Sequence, residues 1–142
     1  MTVILVRHAA AGERSRWSGD DRLRPLDGRG RRQATELADA LASRGVERVL
    51  TSPYVRCRQT VDPLAEALGL AVEERVELAE GAGAAAIVQL VGRLRGAVAV
   101  LCTHGDVIAA VLGEESEKGS AWVLEPDAGG GLSPREYLHP AV

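Results

Sequence analysis

The chain opens with a short, unbroken apolar run, Val3 to Val6, the pattern of a strand buried on both faces. A polar, arginine-rich stretch follows, punctuated by Gly12, Gly19 and the turn Pro25-Leu26-Asp27-Gly28. From about Gly30 to Arg44 the period changes. Ala34, Leu37, Ala38, Leu41 and Ala42 recur at helical spacing, and Gly45 is a natural stop just past the end. Val46 to Thr51 reads as a second strand, after which Ser52-Pro53 predicts an N-cap with proline at the first helical position. That helix carries Val61, Leu64, Ala65 and Leu68 as its buried stripe and ends at Gly69, with a kink or break expected at Pro63. Leu70 to Val76 predicts a third strand, and Ala84, Ile87, Val88, Val91 and Leu94 mark a third helix. Ala97 to Cys102 is a further buried strand, and a short helix over about Asp106 to Leu112 follows it.

Strands alternating with helices predict an α/β domain, a three-layer αβα sandwich with a mostly parallel central sheet. The tail breaks the alternation. Ala121 to Glu125 and Arg135 to Leu138 flank Gly129-Gly130-Gly131, which predicts a C-terminal antiparallel hairpin at the sheet edge, an insertable linker being the alternative.

Composition enters mainly by exclusion. At 142 residues the chain is of single-domain size, and 46% hydrophobic with 26% charged residues is ordinary globular composition. A net charge of −3 argues against a nucleic-acid partner. No apolar run approaches the ~20 residues of a membrane span. No basic segment precedes Thr2 to Val6, and Arg7-His8 ends that run at once, so a cytoplasmic protein with no membrane partner is expected. Cys57 and Cys102 form no CxxC and read as reduced, small buried hydrophobes, neither zinc ligands nor nucleophiles. Positive charge is crowded into Arg14, Arg16, Arg22, Arg24, Arg29, Arg31 and Arg32. The last three read as solvated surface, and the first four depend on what lies beside them.

Ligands of open α/β sheets bind beyond the carboxyl ends of the strands. Arg7-His8 follows the first strand, Thr51-Ser52-Pro53 with Arg56 and Arg58 the second, and Thr103-His104-Gly105 the last parallel one. Two of the three histidines therefore converge on one edge with a compact set of arginines, and His139 is left in the tail.

These segments carry a resemblance. Leu5-Val6-Arg7-His8-Ala9 resembles the Arg-His-Gly motif of the histidine phosphatase superfamily, and Ser52-Pro53-Tyr54-Val55-Arg56-Cys57-Arg58-Gln59-Thr60 its Ser-Pro-x-x-Arg-x-x-Gln-Thr block. Cys102-Thr103-His104-Gly105 resembles the segment with its second histidine, and Arg24-Pro25-Leu26 and Gly30 to Gln33-Ala34 fall where that family expects them. The resemblance implies a single domain over residues 1–142, with a motif-bearing core over about 2–113 and a tail over 114–142.

The resemblance implies a phosphohydrolase that needs no metal and no cofactor. The chemistry is sound from first principles. A phosphate monoester carries about two negative charges at neutral pH, so its attacker must be uncharged and its surroundings cationic. A neutral imidazole meets the first need, which makes His8 the expected nucleophile and a phosphohistidine the intermediate. Arg7 and Arg56 offer planar donor forks for phosphate oxygens, and a protonated His104 would stabilise the transition state beside them. Arg14 is a further expected substrate ligand, whereas Arg58 reads as a surface partner of its helix. The leaving group needs a general acid. The family commonly supplies it from the loop after the third strand, where Glu80 fits best and Glu77 is the rival; Glu73, Glu74, Glu77 and Glu80 could equally be surface charges.

Three departures bear on substrate. Ala9 replaces the usual glycine, and Ala10, Ala11 and Arg14 stand where small polar and asparagine positions usually ring the phosphate. The chain also lacks the insertions that close over the substrate in the phosphoglycerate mutases, which disfavours mutase activity and implies an open site. In that it resembles the SixA-type phosphatases, which act on phosphohistidine in proteins. Through Arg56-Cys57, Cys102-Thr103-His104 and the Trp122 tail it also looks like the phosphatase domain fused to some Nudix hydrolases, which points to nucleotides or polyphosphates. Arg14, Arg16, Arg22 and Arg24, one loop from His8, are candidate ligands for extra phosphates or an acidic protein surface, and Trp17 for a base or as a plain cover. The contrasting expectation is a non-catalytic phosphate-binding regulatory module. An acyl hydrolase is excluded, since no Gly-x-Ser-x-Gly elbow exists.

Overall fold

Alternation along the first strand, β1 (Thr2–Arg7), decides how the layers stack. Ile4 and Val6 pack with Leu37, Ala38 and Leu41 of α1 (Gly28–Leu41) and with Val61, Leu64 and Ala65 of α2 (Val55–Leu68). Val3 and Leu5 point the other way, into Ile87, Leu90 and Val91 of α3 (Ala84–Gly92) and Val107 and Ile108 of α4 (Gly105–Leu112). The computed structural model, which describes residues 1–94 and 96–140, is thus the expected three-layer αβα sandwich.

The sheet holds six strands in the order β3-β2-β4-β1-β5-β6, with β2 at Arg48–Thr51, β3 at Val72–Glu74 and β4 at Val98–Thr103. These and β1 run parallel. The tail forms the predicted antiparallel hairpin, β5 (Ala121–Pro126) and β6 (Leu132–Leu138), and β5 pairs antiparallel with β1. Because β4 lies between β1 and β2, residues 8, 104 and 52 leave the carboxyl ends of three adjacent strands.

Two local expectations fail. Ser52 is not the cap of α2: the helix begins at Val55 after Tyr54, which offers no side-chain cap, and Ser52 Oγ is engaged by His104 and by the Tyr54 N–H. Nor does Pro63 break α2, which runs unbroken to Gly69. Pro63 sits on a half-buried flank, where the Gln59 carbonyl it leaves unpaired can meet solvent, while Val61, Leu64 and Ala65 bury the opposite stripe on both sides of it. No helix among the described residues is long and apolar enough to cross a membrane.

Candidate active site

His8 is the first residue past β1, and its position is fixed before any ligand arrives. Its backbone N–H donates to the Thr103 carbonyl at 3.1 Å, tying it to β4. Its ring Nδ1 lies 2.8 Å from the Ala9 carbonyl, an oxygen that can only accept, so Nδ1 carries the proton and the lone pair is left on Nε2. Burial drives the His8 pKa from 6.5 down to about 3; the bond to Ala9 opposes this, and the charges of Arg56, His104 and Arg7 reinforce it. His8 is therefore a neutral imidazole across the physiological range, held in one tautomer.

His104 stands opposite, its ring centroid 5.5 Å from that of His8. It precedes α4 and is buried, with Nε2 2.9 Å from Ser52 Oγ and its face against Tyr54 at 4.6 Å. Arg7 comes in from the end of β1, one guanidinium Nη donating to the Ser116 carbonyl. It lies so close to the start of α4 that a Cβ on Gly105 would fall 2.7 Å from its Cζ. Arg56, fully buried on the first turn of α2, donates through Nη1 to the Asp21 carbonyl at 2.8 Å and through Nη2 to Asp21 Oδ2 at 3.1 Å and Glu80 Oε2 at 2.9 Å. Its Cζ sits 4.9 Å over the Tyr54 ring.

Four buried side-chain nitrogens among the described residues have no hydrogen-bond partner, and three of them are Arg7 Nε, Arg56 Nε and His104 Nδ1. Native proteins rarely leave such donors unpaired, because each costs about 1–3 kcal/mol of desolvation. Their concentration around one neutral imidazole marks a site built for an anion.

Glu80 and Arg14 complete the rim. Glu80 takes two 3.0 Å bonds from Arg14, one from Arg56, and lies 3.8 Å from His104 Nδ1. The structure thus brings Glu80 to the site, while Glu77 pairs with Arg93 at the end of α3. Asp21 escaped the sequence reading. It binds Arg56, takes Arg24 Nε at 2.9 Å and lies 3.4 Å from Arg14, a hub for three arginines. Nothing in the chain singles it out from Asp20 beside it, whose carboxylate merely pairs with exposed Arg22.

Other motif residues hold the loop after His8. Thr60 Oγ1 accepts from the Ala9 N–H and Gln33 Oε1 from the Ala10 N–H, both at 2.9 Å, and Gln59 Oε1 takes the Leu26 N–H. Gly30 permits the closest approach: a Cβ there would fall 1.9 Å from the Ala10 carbonyl oxygen. Arg24 corrects its expectation as a phosphate ligand. It is buried, spent on Asp21 and on the Ala11 carbonyl at 2.7 Å, and so clamps the loop. Arg16 pairs with Glu13 at the surface, Arg58 with Glu74 and Asp62, and exposed His139 with Glu117. Trp17, 37% exposed, is pinned by its Nε1 to the Asp20 carbonyl. No group of three or more His, Cys, Asp or Glu among the described residues is arranged to hold a metal ion.

Comparison with known proteins gives a consistent picture. Residues 3–85 match the sequence model of the histidine phosphatase superfamily (branch 1). A protein of Mycolicibacterium smegmatis named 8-oxo-(d)GTP phosphatase is 38% identical over 158 aligned positions covering 98% of this chain, although the chain spans only 48% of that protein's length. Among solved structures, the protein histidine phosphatase SixA complexed with tungstate superposes with a TM-score of 0.83 at 23% identity, covering 99% of this chain and 97% of that one. The putative phosphohistidine phosphatase SixA of Nakamurella multipartitia gives 0.77 at 26% identity, covering 99% and 96%.

Proposed function

Since the chain belongs to the histidine phosphatase superfamily (branch 1), we propose that it is a phosphohydrolase that works through a phosphohistidine on His8 and needs no metal ion. One observation carries the reading: three buried, unpaired donors gather around a histidine that is kept neutral with its lone pair on Nε2. His8 Nε2 attacks phosphorus, and the bond to the ester oxygen breaks on the opposite side. Arg7, Arg56 and His104 donate to the phosphoryl oxygens as charge redistributes over them. Glu80, turned from Arg56 as the phosphoryl group takes that arginine, picks up the proton of the substrate's phosphate monoanion and passes it to the leaving oxygen. It then takes one from the water that cleaves the phosphorus–nitrogen bond and releases phosphate. Arg14 holds Glu80 at the rim and meets the distal part of the substrate.

The substrate class proposed is a nucleoside phosphate. The M. smegmatis relative acts, by its name, on 8-oxo-(d)GTP, and it is 38% identical to this chain. A cleft of about 430 Å³, lined by Arg16, Trp17, Arg24 and Leu26, adjoins the loop that follows His8 and places an indole among its walls. A phosphohistidine protein is the second reading, supported by the SixA-like fold. The test is hydrolysis of an aryl phosphate and of a panel of nucleotides and phosphohistidine peptides under excess chelator, by the parent and by His8→Ala. Activity that survives chelation and disappears in the variant is expected. Turnover by His8→Ala refutes the nucleophile, and tight phospholigand binding without turnover by the parent favours a regulatory module.

A further inference from the structure

Behind the buried His104 ring, on the side away from Nδ1, lies a group that the reaction has not used. Nε2 lies 2.9 Å from Ser52 Oγ and 3.5 Å from the Cys57 Sγ. Ser52 Oγ already accepts from the Tyr54 N–H at 3.3 Å. Cys57 is wholly buried one residue after Arg56 in α2, so consecutive helical positions serve the phosphoryl group and the back of His104. On the opposite ring atom, Nδ1 is buried, without a partner, and turned toward Glu80 at 3.8 Å.

We propose that Cys57 is a positioning residue of the phosphoryl site, passing its thiol proton to His104 Nε2 so that His104 stands as an imidazolium with its Nδ1–H presented to the phosphoryl oxygens. The step is balanced. The S–H bond breaks, the Nε2–H bond forms, and the pair's net charge does not change. The need is electrostatic, since Arg7 and Arg56 disfavour a third cation unless an anion lies behind it. The resulting thiolate supplies that anion and accepts from His104 and from Cys102. The groups facing the pair support this assignment. Burial opposes ionisation of Cys57, but hydrogen bonds from Cys102 and His104 outweigh it and hold the thiol below its usual range, while Cys102 is pushed up and remains the donor. The other titratable or charged neighbours are His8 beyond β1, Tyr54 and Arg56 on α2 and its approach, and Glu80 on the loop after β3. The Thr103 carbonyl accepts from the Cys57 thiol at 3.8 Å, and when the thiol ionises it keeps the His8 N–H as its donor.

The inference rests on His104 being a phosphoryl ligand, and two measurements on the whole chain separate the claims. The first is calorimetric binding of inorganic tungstate against pH for the parent, Cys57→Ser and Cys57→Ala; serine keeps the size and a hydroxyl but does not ionise. Both variants should bind as the parent does at acidic pH. Their alkaline midpoint should fall by about one pH unit, with about tenfold weaker binding above it. Superimposable profiles, or an equal loss at every pH, overturn the proposal. The second is NMR of the His104 ring nitrogens and the Cys57 Cβ in the parent, which decides the matter even if the variants do not fold. Shared titration steps are expected, and independent ones overturn it. Tungstate that fails to bind the parent would sink the phosphatase reading, while the NMR titration would still judge the cysteine–histidine pair.

Discussion

Burial of a neutral histidine makes His8, the proposed nucleophile, a measurable liability in acid. The unfolded chain binds a proton at His8 below pH 6.5, whereas the folded one resists it down to about 3. Between those values the unfolded state holds more protons, so stability rises with pH; the contribution is intact above 6.5 and is lost as pH falls toward 3. Going from neutral pH to about pH 5, the linkage relation assigns to this one residue a loss of about 2 kcal/mol. Acidification also destabilises through paired carboxylates such as Asp21 and Glu73, so the parent alone proves nothing. His8→Asn removes the titration while keeping an amide that can donate to the Ala9 carbonyl. Urea unfolding of both proteins at the two pH values isolates the difference: the parent should lose about 2 kcal/mol more than the variant, roughly 1 M in midpoint. Equal losses in the two proteins would refute a buried, neutral His8, and with it the argument that the nucleophile is ready without a base to deprotonate it.

Gly30→Ala should cost about 1–3 kcal/mol, read by thermal unfolding, because the added Cβ meets the backbone of Ala10 and not a side chain that can swing aside; an unchanged melting temperature would contradict the close approach. Glu80→Gln should slow esters with poor leaving groups more than aryl phosphates, while Glu77→Gln leaves both unaffected; equal losses on both substrate types for Glu80→Gln would remove it as the acid. Asp21→Ala should destabilise by about 1–3 kcal/mol in urea, since it strips Arg24 Nε and Arg56 Nη2 of a partner, and should raise KM as Arg56 loosens. A variant with parental stability and KM would show that the arginines need no hub.

Periodicity carried the sequence reading far. The αβα layers, the parallel strands and the hairpin were all legible, because apolar spacing reports burial directly. What the pattern missed were events at junctions. Ser52 reads as a cap by residue type, but tertiary structure spends its hydroxyl on His104. Pro63 reads as a breaker, but two flanking turns of buried contacts keep α2 together. At the site, Arg7, His8, Arg56, Glu80 and His104 were placed by motif and do converge. Arg24 stays open in the sequence because an arginine beside an anion site and an arginine clamping a loop look alike until burial is known. Asp21 was invisible, since its importance lies wholly in which three arginines the fold delivers to it.

The C-terminal hairpin sets the smallest piece of this chain that should be expected to stand alone. Every family motif ends by Leu112, yet cutting there would strip β5 from β1 along Val3 to Val6 and leave the strand that carries His8 as a bare sheet edge, open to pairing with another molecule. The same cut would delete the Ser116 and Ser120 carbonyls that hold Arg7 and the Gly119 N–H that binds the carbonyls of Arg7 and His8. Motif boundary and folding boundary therefore differ by a whole hairpin. Fusions, truncations and domain dissections of this protein belong beyond Leu138.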